Sequence, residues 1–209
     1  LKKGHEVVVV DDLSTGKKSN LNENANFYEM DIGDSNLKNV FENERPKFVF
    51  HAAAQIDVRK SVEDPVWDAK TNILGSLNLL ENCKSYNVEK VIFSSTGGAI
   101  YGDTQNIPTD ETESEKPISP YGIAKLSIEK YLYYYKEIFD LDYVSLRYSN
   151  VYGPRQNPFG EAGVVAIFIH KILNNEQPII NGDGTQTRDY VFVKDVVRAN
   201  ILSLKKDVT

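Results

Sequence analysis

The sequence predicts an α/β protein: a doubly wound parallel sheet over residues 1–150, then the opening of a smaller lobe over 151–209. Two observations predict the sheet. The apolar runs at 7–10, 48–50 and 91–93 are unbroken, as strands covered on both faces are. Segments of helical period separate them, so strand and helix patterns alternate. A third observation marks the lobe: after Val151 loops rich in Gly, Pro and Asn replace that alternation.

Residues 1–5 read as the last turn of a helix closing on Gly4. The strand at 7–10 ends in Asp11-Asp12-Leu13-Ser14-Thr15-Gly16, polar residues at the strand end where ligands sit in open α/β sheets. A short strand is expected at 26–30, closed by Asp31 and Ile32, and another at 48–51. The latter runs into Ala52-Ala53-Ala54-Gln55, small residues that let a ligand approach the backbone or that merely pack. His51 stands alone and is read as a satisfied histidine at a strand end. Asp64-Pro65 opens a helix with the stripe Val66, Ala69, Ile73, Leu77 and Leu80. Asn72 lies beside that stripe, either exposed or recruited to a ligand. The strand at 91–93 opens onto Ser94-Ser95-Thr96-Gly97-Gly98, with a polar loop from Pro108 to Pro120 over its mouth. A strand at 142–146 ends in Arg147-Tyr148-Ser149-Asn150. The second lobe should hold a loop at 152–158, a helix at 163–173, a strand at 178–180, a turn at 181–184 and a helix at 194–204.

The chemistry concentrates in Ser119-Pro120-Tyr121-Gly122-Ile123-Ala124-Lys125. Ser119 caps a helix and Pro120 fills its first position. Ala124, Ile128, Leu132, Tyr135 and Phe139 form the apolar stripe that follows. Tyr121 and Lys125 therefore sit one turn apart on one face. An ammonium beside a phenol favours the phenolate, which suits proton transfer near neutral pH. Taken alone the pair reads equally well as a surface contact, and the same spacing recurs at Tyr86 and Lys90. That second pair straddles Asn87, a helix end, so its side chains need not meet.

Composition removes several function classes. A formal net charge of −6 without a basic patch argues against nucleic acid. No apolar run approaches the ~18 residues of a membrane span. Cys83 is the single cysteine and reads as a packed thiol of a cytoplasmic protein. The lysine pairs 2–3, 17–18 and 205–206 read as solvated edges. No metal site is expected.

The motifs in order are V-V-V-V-D-D-L-S-T-G at 7–16, D-I at 31–32, H-A-A-A-Q at 51–55 and N-I-L-G-S at 72–76. F-S-S-T-G-G-A-I-Y-G at 93–102, Y-G-I-A-K at 121–125, R-Y-S-N-V-Y-G-P at 147–154 and G-D-G-T-Q-T-R-D-Y-V at 182–191 complete them. In this order and spacing the chain resembles the NAD-dependent epimerase/dehydratase family, extended short-chain dehydrogenase/reductases, and within it the epimerases acting at C4 of UDP-glucose. The resemblance implies a Rossmann-type domain that binds NAD. It implies catalytic roles for Tyr121 as proton carrier, Lys125 as its activator and ribose anchor, and Thr96 as the hydroxyl bonded to the reacting sugar oxygen, with Tyr121 and Lys125 also touching the cofactor. It assigns Asp11 to the ribose, with Asp12, Ser14, Thr15 and Gly16 around the adenosine, and Asp31 and Ile32 to adenine. Ala52, Ala53, Ala54, Gln55 and Asn72 line the dinucleotide, with Ser94 and Tyr148 by its nicotinamide. Asn150, Gly163, Val164, Ile180 and Arg188 are assigned to the UDP-sugar, and a homodimer is implied.

The family's Gly-rich loop lies about 20 residues before its ribose-binding acid. Only ten residues precede Asp11, so the chain is expected to be a segment of a longer enzyme, poorly folded and unable to retain NAD alone. Two other readings stay open: a nucleotide-sugar 4,6-dehydratase or decarboxylase, and a non-catalytic NAD-binding regulator. The former relatives carry an acid pair or glutamate after the Ser/Thr, where this chain has Gly97 and Gly98. An intact Tyr121, Lys125 and Thr96 speaks against the latter.

Overall fold

The computed structural model describes residues 1–159 and 163–205, so Lys206 of the last lysine pair lies outside it. Strand β1 (Val8–Asp11) pairs in parallel with β2 (Asn26–Glu29). Helix α1 (Leu37–Glu44) leads into β3 (Phe48–His51). Strand β4 (Lys90–Thr96) lies between β3 and β5 (Asp142–Tyr148), both pairings parallel. Central β4 is the deepest strand, with Val91, Ile92 and Phe93 buried. Among the described residues β1 and β3 each have one strand partner. The valines at 7–10 are accordingly half-buried, not covered on both faces as expected. At the start, 1–5 form a turn on Gly4 (φ 82°) instead of a helix end.

The tyrosine helix, α5 (Pro120–Phe139), begins as the sequence indicates. Ser119 is extended and its Oγ accepts the Gly122 N–H at 3.1 Å. Ala124, Ile128, Leu132 and Tyr135 are buried, while Phe139 in the last turn is 42% exposed. Ile128, Leu132 and Tyr135 join Phe93, Leu80, Cys83, Phe41 and Leu37 in one core between the sheet and α1, α5 and the helix after β3. Only glycine fits at 122: a Cβ there would run into the Ala99 carbonyl and lie 3.0 Å from Pro117 Cβ. The loop after β4 is thereby pressed onto the start of α5.

The helix expected from Asp64 is in fact three pieces. Asp64 does cap it, accepting the Trp67 N–H at 2.9 Å, and α3 (Pro65–Ala69) follows. Residues Lys70–Leu74 then form a π-helical turn before α4 (Gly75–Ser85). The wider turn changes the phase of the helix: Leu80 lies in the core and Ile73 and Leu77 pack against it, as the stripe predicts, but its first member, Val66, does not. Val66 is 64% exposed, whereas Asp68, Asn72 and Ser76 are buried. A four-residue spacing drifts about 40° per step on an α-helix, and the π turn takes up that drift, giving a polar face turned inward. Helix α2 (Val58–Glu63), capped by Asp57 accepting the Arg59 and Lys60 N–H groups, and α1 have no counterpart in the sequence reading.

In the second lobe β6 (Asn150–Tyr152) pairs in parallel with β7 (Tyr190–Phe192), and α6 (Val164–Leu173) and α7 (Val193–Leu202) are helical. The strand expected at 178–180 is absent: β6 pairs with β7 instead, and Ile179 and Ile180 are 66% and 63% exposed. Among the described residues no helix is long and apolar enough to cross a membrane.

Candidate active site

The assigned dinucleotide residues Asp11, Ser94 and Tyr148, and the catalytic candidate Thr96, stand at the C-terminal ends of β1, β4 and β5. Asp31 and Ile32 follow β2, and Ala52 to Gln55 follow β3, so the candidates share one edge of the sheets.

At the centre of that edge the structure brings Thr96, Tyr121, Lys125 and Ser94 together. Lys125 is 4% exposed, and its Nζ donates to the Ser94 carbonyl at 2.8 Å. The same nitrogen lies 4.8 Å from the Phe93 ring centroid and 5.9 Å from that of Tyr121. Burial pushes this lysine down to about 8, and the Asp68 charge works the other way. Tyr121 is pushed up to about 12, first by burial and then by Asp68, while a hydrogen bond with the Thr96 side chain pulls it back. The expected lowering of the phenol by its neighbour is thus corrected: the net shift is upward, because burial and then Asp68 dominate and the ammonium is engaged by a carbonyl. Tyr86 and Lys90 do not repeat this geometry. Tyr86 closes α4, Asn87 is left-handed (φ 57°), and Lys90 Nζ donates to the Lys205 carbonyl at 2.8 Å.

Asn72 is neither exposed nor open to a ligand through its amide. Its Oδ1 accepts the Gln55 N–H at 2.8 Å, and its Nδ2 donates to the Gln55 carbonyl at 2.9 Å and to Asp68 Oδ1 at 2.9 Å. The side-chain amide stands in for a neighbouring strand's peptide and fixes the segment after β3. Gln55 Nε2 donates to Asp68 Oδ1 at 3.0 Å and to the Asp57 carbonyl at 2.8 Å, so this side chain too is engaged internally. Ala52 and Ala53 remain exposed and Ala54 half-buried, with no side chain to bar a ligand from the backbone. His51 is 2% exposed and pairs through Nε2 with Ser76 Oγ at 2.7 Å. Ser76 donates its own proton to the Asn72 carbonyl, so the histidine Nε2 carries the hydrogen and Nδ1 has no partner. Burial holds this ring neutral, at about 3.

The acidic strand ends fit a ribose and base. Asp11 Oδ1 accepts the Leu13 N–H at 2.8 Å, and a Cβ at Gly16 would approach that oxygen to 2.9 Å. Glycine at 16 therefore keeps one side of the carboxylate open. Asp12 folds back onto Ser14, accepting from its N–H and hydroxyl, and Ser14 and Thr15 are exposed. Asp31 Oδ1 accepts the Gly33 N–H at 2.6 Å. Ile32 places its side chain in the core, which leaves its backbone for any contact. Tyr148 turns its hydroxyl to α7, accepting from Asn200 Nδ2 at 2.6 Å.

In the second lobe Asn150 is exposed and its Nδ2 donates to the Asp189 carbonyl at 3.0 Å, tying β6 to the start of β7. Gly163 caps α6, with Val164 as its first, partly exposed residue. Arg188 is exposed and donates to the Thr187 carbonyl at 2.7 Å, and Ile180 is exposed. The sequence reading misses Asp68 and a network behind Thr96. In that network Ser95 Oγ donates to Glu129 at 2.5 Å, and Arg147 bridges Glu129, Glu115 and the Tyr101 hydroxyl. A signal for Glu129 is present in the sequence: it lies four residues after Lys125, one turn along α5.

The residues 1–209 match the family model described as NAD dependent epimerase/dehydratase. A UDP-glucose 4-epimerase of Mycolicibacterium smegmatis is 45% identical over 201 residues, 94% of this chain and 64% of the relative. The crystal structure of a UDP-glucose 4-epimerase with UDP-glucose from Thermotoga maritima superposes with a TM-score of 0.96 at 56% identity, covering 98% of this chain and 67% of that one. A UDP-glucose 4-epimerase of Thermus thermophilus, in complex with NAD, superposes at 0.92 with 47% identity, covering 97% and 68%. The chain thus spans about two thirds of the length of these relatives, and its fold is the Rossmann-like α/β fold of such epimerases. By the match over residues 1–209, it belongs to the NAD-dependent epimerase/dehydratase family.

Proposed function

We propose that this chain belongs to an NAD-dependent epimerase that inverts C4 of a UDP-sugar, interconverting UDP-glucose and UDP-galactose through a 4-keto sugar. The observation that carries this reading is the hydrogen-bonded Thr96 and Tyr121 pair beside buried Lys125 at the mouth of β4. Residues 1–150 form the NAD-binding domain and 151–209 part of the nucleotide-sugar lobe. Asp11 with Gly16 holds the ribose, Asp31 and the Ile32 backbone the adenine, and Ala52, Ala53 and Ala54 the dinucleotide backbone. Asn150, Gly163, Val164, Ile180 and Arg188 serve the UDP-sugar. NAD, when bound, supplies hydride acceptance and return together with a positive ring.

The chain's residues move the proton. A phenol at about 12 is protonated at neutral pH, so Tyr121 stands ready as donor. To accept a proton it needs compensating positive charge, part of which Lys125 supplies from the next turn. Thr96 and Tyr121 can grip one sugar hydroxyl between them and fix which oxygen reacts. A single buried thiol fits a cytoplasmic enzyme, and a homodimer is proposed with it.

The endpoint follows from what stands next to Thr96. A Cβ at Gly98 would lie 4.0 Å from Thr96 Oγ1, so a side chain there would border the reacting hydroxyl. Glycine puts neither acid nor base in that place, and the keto sugar has no partner for loss of water. Incubation with UDP-glucose and NAD should yield the 4-epimer with no build-up of NADH. A 6-deoxy-4-keto product would replace this reading with the dehydratase one. Assay against UDP-glucose, its N-acetylated form and its uronic acid assigns the sugar.

Asp11 also makes a cofactor prediction. A carboxylate facing the ribose hydroxyls repels a 2′-phosphate, so NAD should bind at least about tenfold tighter than NADP. Lys17 and Lys18, just after the Asp11 loop, would soften the preference; the Lys18 ammonium lies over the Phe27 ring at 5.6 Å. Equal affinities in a fluorescence titration would show that Asp11 faces elsewhere.

A further inference from the structure

Among the described residues, Asp68 is the buried carboxylate that couples to both Tyr121 and Lys125. It is 1% exposed, in α3, a helix that packs against α5. Its Oδ1 takes both fixed hydrogen bonds, from Gln55 Nε2 at 3.0 Å and Asn72 Nδ2 at 2.9 Å. Burial pushes this carboxyl up; the Gln55 and Asn72 hydrogen bonds and then the Lys125 charge favour its ionised form, and of these three Lys125 is the cation. Resting on the reading of Tyr121 as proton carrier, we propose that Asp68 is a positioning residue of this site: held by Gln55 and Asn72, it sets the charge against which the Tyr121 phenol gives up its proton and keeps Lys125 an ammonium.

Geometry and electrostatics support this together. A carboxylate this deep is costly unless paired, and a lysine this deep equally so. Each lowers the other's penalty, which is why the Asp68 charge opposes the desolvation of Lys125. The same charge acts against a second anion, and Tyr121 ionised would be one. The other groups around the pair do not compete. His51 on β3 is neutral, and Glu129 on α5 is bound to Arg147 and Ser95. Glu81 on α4 accepts from Tyr135, Arg59 and Lys60 on α2 are exposed, and Arg147 on β5 faces Glu129 and Glu115. Phase explains the placement: the π turn aligns Asp68 with Asn72 on the inward face, so clamp and charge arrive as one unit.

The test reads the phenol directly. Phenolate absorbance is titrated in wild-type protein and in Asp68→Asn, each as the difference from its own Tyr121→Phe counterpart. Asp68→Asn should lower the Tyr121 titration by roughly one unit, about tenfold more phenolate at a given pH. The pH profile of turnover should move the same way, a change that loss of packing alone would not produce. Asp68→Ser, which also removes the charge, should reproduce the direction. An unmoved titration in a folded neutral variant would overturn the proposal. So would a wild-type Tyr121 titrating at or below the ordinary tyrosine value, a result that needs no variant at Asp68. Full activity of Tyr121→Phe would instead strike at the epimerase reading, leaving the electrostatic coupling to be read from the titration alone.

Discussion

Tyr121→Phe should lower turnover by about 10²–10⁴-fold, the usual contribution of a placed proton-transfer group. The phenyl ring keeps the packing against Lys125, whose ammonium lies 5.9 Å from the ring centroid, so the fold should be unaffected. What is lost is the hydroxyl that the Thr96 side chain engages. Nucleotide-sugar affinity should therefore stay within about threefold, because the missing interaction acts on the reacting atom and not on the nucleotide. Tyr86→Phe is the control: that ring packs on Phe41 and Arg45 and lies outside the site, so activity should be unchanged. Near-normal epimerisation by the Tyr121 variant would remove it from the mechanism.

The largest stability effect is expected behind Thr96. Glu129 is 8% exposed in its side chain, Arg147 16%, and the pair is joined at 2.6 Å through Nη2 with further bonds through Nε. Glu129 holds this arginine even more firmly protonated than usual. Arg147→Ala would leave Glu129 buried without its counter-charge and Tyr101 without its donor. Breaking one side of such a pair costs about 3–5 kcal/mol, measurable as a lower urea midpoint. A loss below about 1 kcal/mol would show that Glu129 finds another partner. Ser95 joins this network one residue before Thr96, so lowered activity in the folded fraction is expected too.

How much of this is legible in the sequence depends on the kind of signal. The start of α5 is readable because capping is local: Ser119, Pro120 and Gly122 act within one turn. The apolar cores of β3 and β4 are readable because their runs are continuous. The buried polar face of the 65–85 helix is not. Periodicity assumes an α-helix, and that assumption turns Val66 inward and passes over Asp68. The strand at 178–180 fails for a different reason: β-branched residues fit a pleat, but the ladder beside β6 goes to β7. The phenol's environment is misjudged because a lysine in sequence proximity says nothing about desolvation. The burial of Tyr121 itself and then the carboxylate of Asp68 decide that sign.

The π turn at Lys70–Leu74 also sets a rule about length. It holds more backbone per revolution than the α-helix on either side, so it counts residues as well as shaping them. A π turn closes its hydrogen bond one residue later for the same revolution, so dropping one residue would restore a plain α-helix and leave α3 and α4 close to their present phase. Asp68 in α3 and Ser76 in α4 would keep facing inward, whereas Asn72 lies inside the turn and would be re-aimed, loosening the clamp on the segment after β3. A chimera that loses one residue here should thus keep its flanking helices in place and lose the Asn72 clamp alone.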